Sequence, residues 1–474
     1  MTRTTMVAVV FASWLAWADE GDGGVDAGLP PTLGFDVVQG PWGPARKSSG
    51  DLFRSAATSV AEGPLRWRWN DFSLAIGGQY FARTELRDGR DFSLADPDQS
   101  IGVDHRARLT VRASAKERVG IVLEFQDVRG WGSEPNTTTV TPNTGLHQGF
   151  VDLKVTPFLD VRVGRQELTY GEDRLIGNLD WAQAARAFDG VFVRVTASPS
   201  VTLDGFGMML SPPSFLTAGG RAHNSGSYFT GLYARARFGK AGLDVYGLGL
   251  LEDPSTAALG PRHDNNRLTL GARGFGALGP LALVAEAAFQ TGKACTPACA
   301  PGEVDDTVLA GALAVKATWT LPVWGSPYVT GEFSAASGDA DATDGVDHTF
   351  HQLFPTGHIH LGFMDYVGWQ NVVAGRGTIG LRPWGAHVWL DVHHFRAWEP
   401  RGAWYAANGA VFLAADPNRT SGEMGTELDL SVTVPLFAQV SLAGNFSVFL
   451  PGLEAAARGT SPSTWGFLSV RSQF

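Results

Sequence analysis

The chain has 474 residues, more than one small globular core needs unless the architecture is a large closed one. Its 47 acidic residues outnumber its 37 basic ones, a formal charge of -10 that argues against a nucleic-acid-binding protein, which carries a basic excess. Fifty-nine Gly, fifteen Trp and twenty-eight Phe, with only 18% charged residues, fit tight turns and aromatic girdles rather than the long helices of a large α/β enzyme.

The N-terminus reads MTRTTMVAVVFASWLAWADE. Arg3 gives it a positive start, Met6 to Trp17 form an apolar run too short to span a bilayer, and Ala16-Trp17-Ala18 is a small-residue cleavage site. Residues 1–18 are therefore expected to be a secretory signal peptide. Residues 19–65, rich in Gly, Pro, Asp and Ser, are expected to form an irregular lead-in with little of its own to bury.

From residue 66 to 474 the pattern is strand-like. Between Phe72 and Arg87, Phe72, Leu74, Ile76, Tyr80, Ala82 and Leu86 share one parity. Ser73, Gln79, Arg83, Glu85 and Arg87 share the other, with Phe81 the exception. That is the period of a strand with one apolar face. The next segment is sharper: Val103, Ala107, Leu109, Val111 and Ala113 oppose Asp104, Arg106, Arg108, Thr110 and Arg112. The same two-faced pattern recurs in VRVTA, LYARARF, NRLTLGAR, RGTIGLR and ELDLSVTV, while the segments around Thr202 and Asp244 are ambiguous. About eighteen such segments can be counted, each near the length that crosses a tilted membrane wall. Long loops are expected at 130–146, 167–187, 211–226, 252–265, 292–306, 336–370 and 397–424, alternating with short turns. The expected fold is an all-β antiparallel transmembrane barrel of about eighteen strands.

Alternation alone does not separate a membrane barrel from a soluble sandwich, whose apolar face turns to a core. Energetics choose the wet face if the barrel is correct: an Arg near the bilayer midplane costs roughly 2–4 kcal/mol, so Arg106, Arg108 and Arg112 belong inside a water-filled lumen. The basic set is six Lys and thirty-one Arg, and Arg presents a planar fork suited to carboxylate or phosphate. A GC-rich genome explains the bulk count equally well. The terminal Phe474 fits a barrel whose last strand ends in an aromatic.

Cys295 and Cys299, in KACTPACAPG, read as a disulfide staple in an exported loop, because a metal site would need two more ligands. GFGALG matches a dinucleotide fingerprint, but Pro280 and a strand-like run follow where a helix should begin, so it reads as a turn. His358, His360 and Asp365 lack evident third and fourth partners for a metal. His393 and His394 are expected on one strand, pointing to opposite sides. No G-x-S-x-G occurs, and nothing in the chain calls for a cofactor or an enzymatic reaction.

The stretch GRQELTYGEDRLIGNLDW, residues 164–181, concentrates charge of both signs between two strands. Together with Arg186 to Val191 it resembles the signature of the alginate export family of outer-membrane porins. LFPTGHIHLGFMDYVGWQN, from Leu353 to Asn371, is similar to a second block of that family, and Glu427 to Leu430 and Val448 to Gly452 to later ones. The resemblance covers roughly residues 66–474. It implies an eighteen-stranded barrel in the bacterial outer membrane passing an anionic polysaccharide such as a polyuronate. Its partners would be that polymer, outer-membrane lipid and periplasmic export proteins, with no nucleic acid.

By motif match Arg165, Arg174 and Arg186 are expected in the constriction, held by Glu172, Asp173 and Asp189, with Arg129 at a further family position. Arg106, Arg108, Arg112, Arg194, Arg235, Arg237, Arg376 and Arg382 are assigned to the pore lining from alternation. Arg165 shares parity with Val161 and Val163, so either a bulge resets the face or the residue lies beyond the membrane zone. Phe81, Phe192 and Trp389 are candidate sugar-contacting aromatics, and packing aromatics are as good a reading. The rival functions are a general anion-preferring porin for small carboxylates or phosphates, an outer-membrane barrel enzyme of the phospholipase kind, and an adhesin.

Overall fold

The computed structural model describes residues 65–474 apart from 94–97, 117, 132–143, 212–225, 253–264, 295–305, 342, 438 and 474. The expected signal peptide, the lead-in up to residue 64, the Cys295–Cys299 staple and Phe474 lie outside the described residues.

Eighteen antiparallel strands form a closed barrel. In chain order they are β1 (Phe72–Asp88), β2 (Ser100–Ala115), β3 (Val119–Gly130), β4 (Thr144–Thr156), β5 (Leu159–Gln166) and β6 (Phe188–Ser198). Then come β7 (Val201–Ser211), β8 (Ser227–Phe238), β9 (Ala241–Glu252), β10 (Asn265–Leu278), β11 (Leu281–Ala294) and β12 (Asp306–Thr320). The last six are β13 (Tyr328–Ala336), β14 (Val372–Leu381), β15 (His387–Arg396), β16 (Glu423–Phe437), β17 (Val440–Pro451) and β18 (Ser463–Gln473).

Closure is made by β1 against β18, in register from Gln79↔Gln473 to Asp88↔Thr464. A lead-in strand, Leu65–Trp69, takes the stretch of β1 edge that β18 leaves, pairing Leu65 with Ile76 and Trp69 with Phe72. Among the described residues no long run of β1 backbone is left as an open edge, which hydrocarbon would not tolerate. The ambiguous segments around Thr202 and Asp244 are strands β7 and β9. GFGALG runs along the end of β10 into a turn at Gly279, whose φ is 59°.

The side-chain pattern is inside-out relative to a soluble sandwich. Leu109, Leu123, Val191, Leu232, Leu270, Leu313, Phe333 and Leu430 are exposed on the outer face. Their strand neighbours Arg108, Glu124, Arg194, Arg273, Glu332 and Asp429 are buried on the inner one. At the short-turn end Trp69, Phe158, Phe238, Trp319, Trp324, Trp384 and Phe437 form an exposed aromatic girdle, the placement that amphipathic rings adopt at a headgroup interface.

The interior differs from an open water-filled lumen. Segments 167–187 and 343–371 fold inward from the long-loop end and carry apolar side chains with them. Leu168, Tyr170, Leu175, Ile176, Phe350, Leu361, Phe363 and Met364 pack with wall residues Phe188, Phe206 and Phe229 in one buried cluster. A third segment adds Trp404, whose indole donates to the Tyr366 carbonyl at 2.8 Å. The loops hold more apolar surface than their ends can hide outside, and the space enclosed by the sheet is where it can be removed from water.

Candidate functional site

The two motif blocks meet inside the barrel. Ile176 and Phe354 form a parallel bridge, with Gly177 N donating to Phe354 O at 2.8 Å and Phe354 N to Leu175 O at 2.9 Å. Thr356 N donates to Asp173 O at 2.8 Å. Gly177 is required there: a Cβ would sit 2.3 Å from Thr356 Oγ1 and 3.0 Å from its backbone nitrogen. Arg186 locks the clasp, one guanidinium nitrogen donating to the carbonyls of Gly177, Phe354 and Pro355. Non-glycine residues with left-handed φ gather in these two loops: Asp173, Leu179 and Ala185 in the first, Leu353, Asp365 and Asn371 in the second. Such residues cost of order 1–3 kcal/mol each and persist where surrounding contacts over-determine the backbone.

Two charged nodes tie the first loop to the wall. In one, Glu332 of β13 is paired with both Arg174 of the loop and Arg376 of β14, and Glu172 with Lys316 of β12. Burial alone would raise the Glu172 pKa, but Lys316, Arg174 and Arg273 hold it down at about 2. Burial keeps the His360 imidazole well below its ordinary pKa, and Arg174 adds to the effect, so it stays neutral and its Nε2 donates to the Glu172 carbonyl at 2.6 Å. Asp173 behaves oppositely: burial and the neighbouring Glu167 and Glu172 raise it well above its ordinary value. Burial also pulls Arg186 down to about 10, with Asp173 opposing.

In the second node three wall arginines converge on one loop carboxylate. Asp180 lies 2.8 Å from Arg106, 3.3 Å from Arg108 and 2.9 Å from Arg471. The next residue, Trp181, accepts Arg83 Nη1 at its carbonyl at 2.7 Å and lies beneath the same guanidinium, 3.9 Å from its ring centre. Glu124, His147 and Glu167 lie close enough together to outline a metal cage. However, Arg108 stands within 3.7 Å of Glu124 and 3.6 Å of Glu167, so a guanidinium already supplies the positive charge. His358 and His360 do not converge: His358 faces Asp365 at 3.7 Å while His360 bonds a backbone carbonyl.

The remaining wall carries cross-strand pairs. Arg194 of β6 grips Asp204 of β7 at 2.6 and 2.7 Å, and Arg235 of β8 joins at 3.1 Å. Arg237 and Arg273 share Asp244 at 2.7 and 3.0 Å. Arg112 lies on the inner parity of β2 near the short turns. Phe81, Phe192 and Trp389 are all buried on the inner face, and Arg83, Arg106 and Arg471 surround the Phe81 ring. His393 is buried inside and His394 is exposed outside.

Three of the expected positions, Arg165, Asp189 and Arg129, lie on the outer face. Arg165 continues the outward parity of Val163 and pairs with Asp189 at 2.6 Å on the outer rim, where the two are 38% and 59% exposed. Gly164 twists at φ 130° without moving Arg165 to the inner face. Arg129 continues the outward parity of Phe125 and pairs with Asp127 at 2.8 Å. Arg382, in the turn after β14, keeps the inward parity of Arg376 and Thr378, its guanidinium 4.6 Å from the ring centre of the buried Tyr328. Motif membership says nothing about which face a residue takes; strand alternation does.

With an inside-out closed sheet and both motif blocks joined in its interior, the relationship to known proteins becomes specific. The alginate export pattern matches residues 72–467. The chain belongs to the alginate export family. Its fold and family place it in the bacterial outer membrane as a channel-type barrel, long loops outward and short turns toward the periplasm. No curated protein matches the chain. Among solved structures it is similar to Pseudomonas aeruginosa OprD, at 10% identity over 85% of this chain and 93% of that one, TM-score 0.54. OccK2 (OpdF) of the same organism, solved in complex with glucuronate, matches at 14% identity over 84% and 98%, TM-score 0.52. OccAB1 of Acinetobacter baumannii matches at 13% identity over 84% and 97%, TM-score 0.54. At these identities the likeness is one of fold.

For this family member the alternation left several site residues unselected. Asp180, Glu332 and Lys316 complete the nodes and Arg273, Asp204 and Asp244 the cross-strand pairs, and each sits on a polar parity or in the charged loop. Lys316 carried a signal, as one of six lysines in the chain and the one between Val315 and Ala317. What no local pattern marks is that Glu332 meets an arginine 158 residues earlier.

Proposed function

We propose that this chain is a non-enzymatic, anion-selective outer-membrane channel that passively exports an anionic polysaccharide of uronate type. The observation that carries the reading is the pair of interior nodes, where wall arginines and loop carboxylates face one another inside the barrel. A uronate polymer carries a carboxylate on each sugar. Fixed guanidinium groups within low-dielectric walls concentrate such a polyanion, and carboxylates beside them keep each contact weak enough to release. Arg106, Arg108, Arg174, Arg376 and Arg471 are the proposed contact residues, with Asp180, Glu172 and Glu332 exchanging partners as the polymer passes.

Single-channel recording in planar bilayers tests this. Anion-selective current with concentration-dependent block by a polyuronate is the expected result. Cation preference, or current indifferent to the polymer, refutes it. A second reading, passage of small carboxylates, is favoured by the tight loop packing and by the likeness to OccK2, whose structure holds glucuronate. Current carried by monomeric uronate without polymer block would select it.

A further inference from the structure

One loop tripeptide rests against a set of wall groups that together suit a uronate. Tyr170 stacks on Tyr233 of β8, ring centres 4.2 Å apart and planes 29° from parallel. Tyr233 in turn stacks on Tyr246 of β9 at 5.2 Å and 9°. Two residues on, the Glu172 carboxylate is bonded to Lys316 and stands 4.0 Å from Arg174. Between them Gly171, at φ 61°, lies flat over Arg273: a Cβ would meet Arg273 Cδ at 3.1 Å and the Tyr233 hydroxyl at 3.6 Å.

Arg273 is 1% exposed and gives Nη1 to Asp244, yet its Nε and Nη2 find no hydrogen-bond partner. Beside the tyrosines is a small cavity that Glu286 also lines, with its Oε2 unpartnered. Buried donors and acceptors left unmade are costly, so a site that keeps them is shaped for another occupant. The wall offers an aromatic platform, Tyr233 and Tyr246, next to two cationic donors, Lys316 and Arg273. Aromatic faces take pyranose rings, and charge-assisted donors take the carboxylate.

We infer that Tyr170-Gly171-Glu172 is a built-in stand-in for the polymer, occupying a uronate subsite made by Tyr233, Tyr246, Arg273 and Lys316. The Tyr170 ring takes the place of one sugar ring, and the Glu172 carboxylate that of the neighbouring sugar. An incoming polyuronate displaces the tripeptide, and the first loop leaves the wall only where the correct ligand replaces it. The inference rests on the uronate reading above.

The test is block of single-channel current through the full barrel by a mannuronate hexamer, with a β-1,4-linked glucose hexamer as uncharged control. Glu172→Gln should tighten block by the uronate about tenfold, the worth of one charge-assisted contact, and leave the glucose oligomer unchanged. Tyr170→Leu should tighten uronate block as well. Adding Arg273→Gln to Glu172→Gln should return block to the wild-type level or below. Equal tightening for both oligomers means a wider pore and overturns the inference, as does a gain that Arg273→Gln leaves intact. If wild-type current shows no preference for the uronate, the functional reading falls too. If wild type shows that preference and neither loop variant improves it, only this inference falls.

Discussion

Arg186→Ala is expected to release the interior clasp without harming the barrel. The side chain touches no neighbouring strand through its hydrogen bonds; all three of its acceptors are loop carbonyls, two of them on the second loop. A hydrogen bond from a charged group contributes about 1.5–3 kcal/mol, and three acceptors sharing one nitrogen give less than three independent bonds, so about 2–4 kcal/mol in all. The backbone bonds at Gly177, Phe354 and Thr356 contribute about 0.5–1.5 kcal/mol each. Removing Arg186 thus takes away roughly half of the clasp at Gly177, Phe354 and Thr356, while the two charged nodes still tie the first loop to the wall; 2 kcal/mol shifts the clasped population about thirtyfold. The assay is limited proteolysis of the folded protein beside single-channel recording. Cleavage within 167–187 should accelerate and current noise should rise, while heat-modifiable migration of the barrel stays as in wild type. Unchanged cleavage and noise would refute the assignment of Arg186 as the lock, and loss of heat-modifiability would show that it supports the wall.

Asp180→Asn should be more damaging, because Arg106, Arg108 and Arg471 lose a shared counter-charge; breaking a buried pair costs about 3–5 kcal/mol, and faster cleavage at Trp181 with higher anion selectivity would report it. Arg165→Ala should change stability by less than about 1 kcal/mol, since its pair with Asp189 is exposed, and should leave the reversal potential in a salt gradient unmoved; a shift toward cations would return Arg165 to the ion path. The loop acids predict opposite pH effects. Glu172 is held at about 2, so its contribution to docking is full above about 4.5 and fades as pH falls toward 2. Asp173 is raised, so docking weakens as pH climbs above its ordinary 3.8 toward the raised value, and Asp173→Asn should lengthen the closed dwell at neutral pH and flatten its pH dependence.

The wall was legible in the sequence because one residue in two must be apolar where hydrocarbon meets the sheet. Leu109, Val191, Leu270 and Leu430 announce strands wherever they recur, and their neighbours Arg108, Arg194, Arg273 and Asp429 follow inward by geometry. The same rule applied to Arg129 and Arg165 puts them outside, against their place in the motif. Both motif blocks could be found as strings, and their loops bounded between strands, from local composition alone.

Local pattern did not reveal the inside of the barrel. The chain states that residues 167–187 are charged, not that Asp180 gathers arginines from β2 and β18 or that Arg174 reaches Glu332. Those pairings exist because closing eighteen strands brings distant segments to one enclosed space. There the loops' apolar residues leave water, and each buried charge must find its opposite among whatever strands face it. Sequence alone determined the two faces of the wall. Closure of the sheet decided which charges meet inside it, because distance through the barrel bears no relation to distance along the chain.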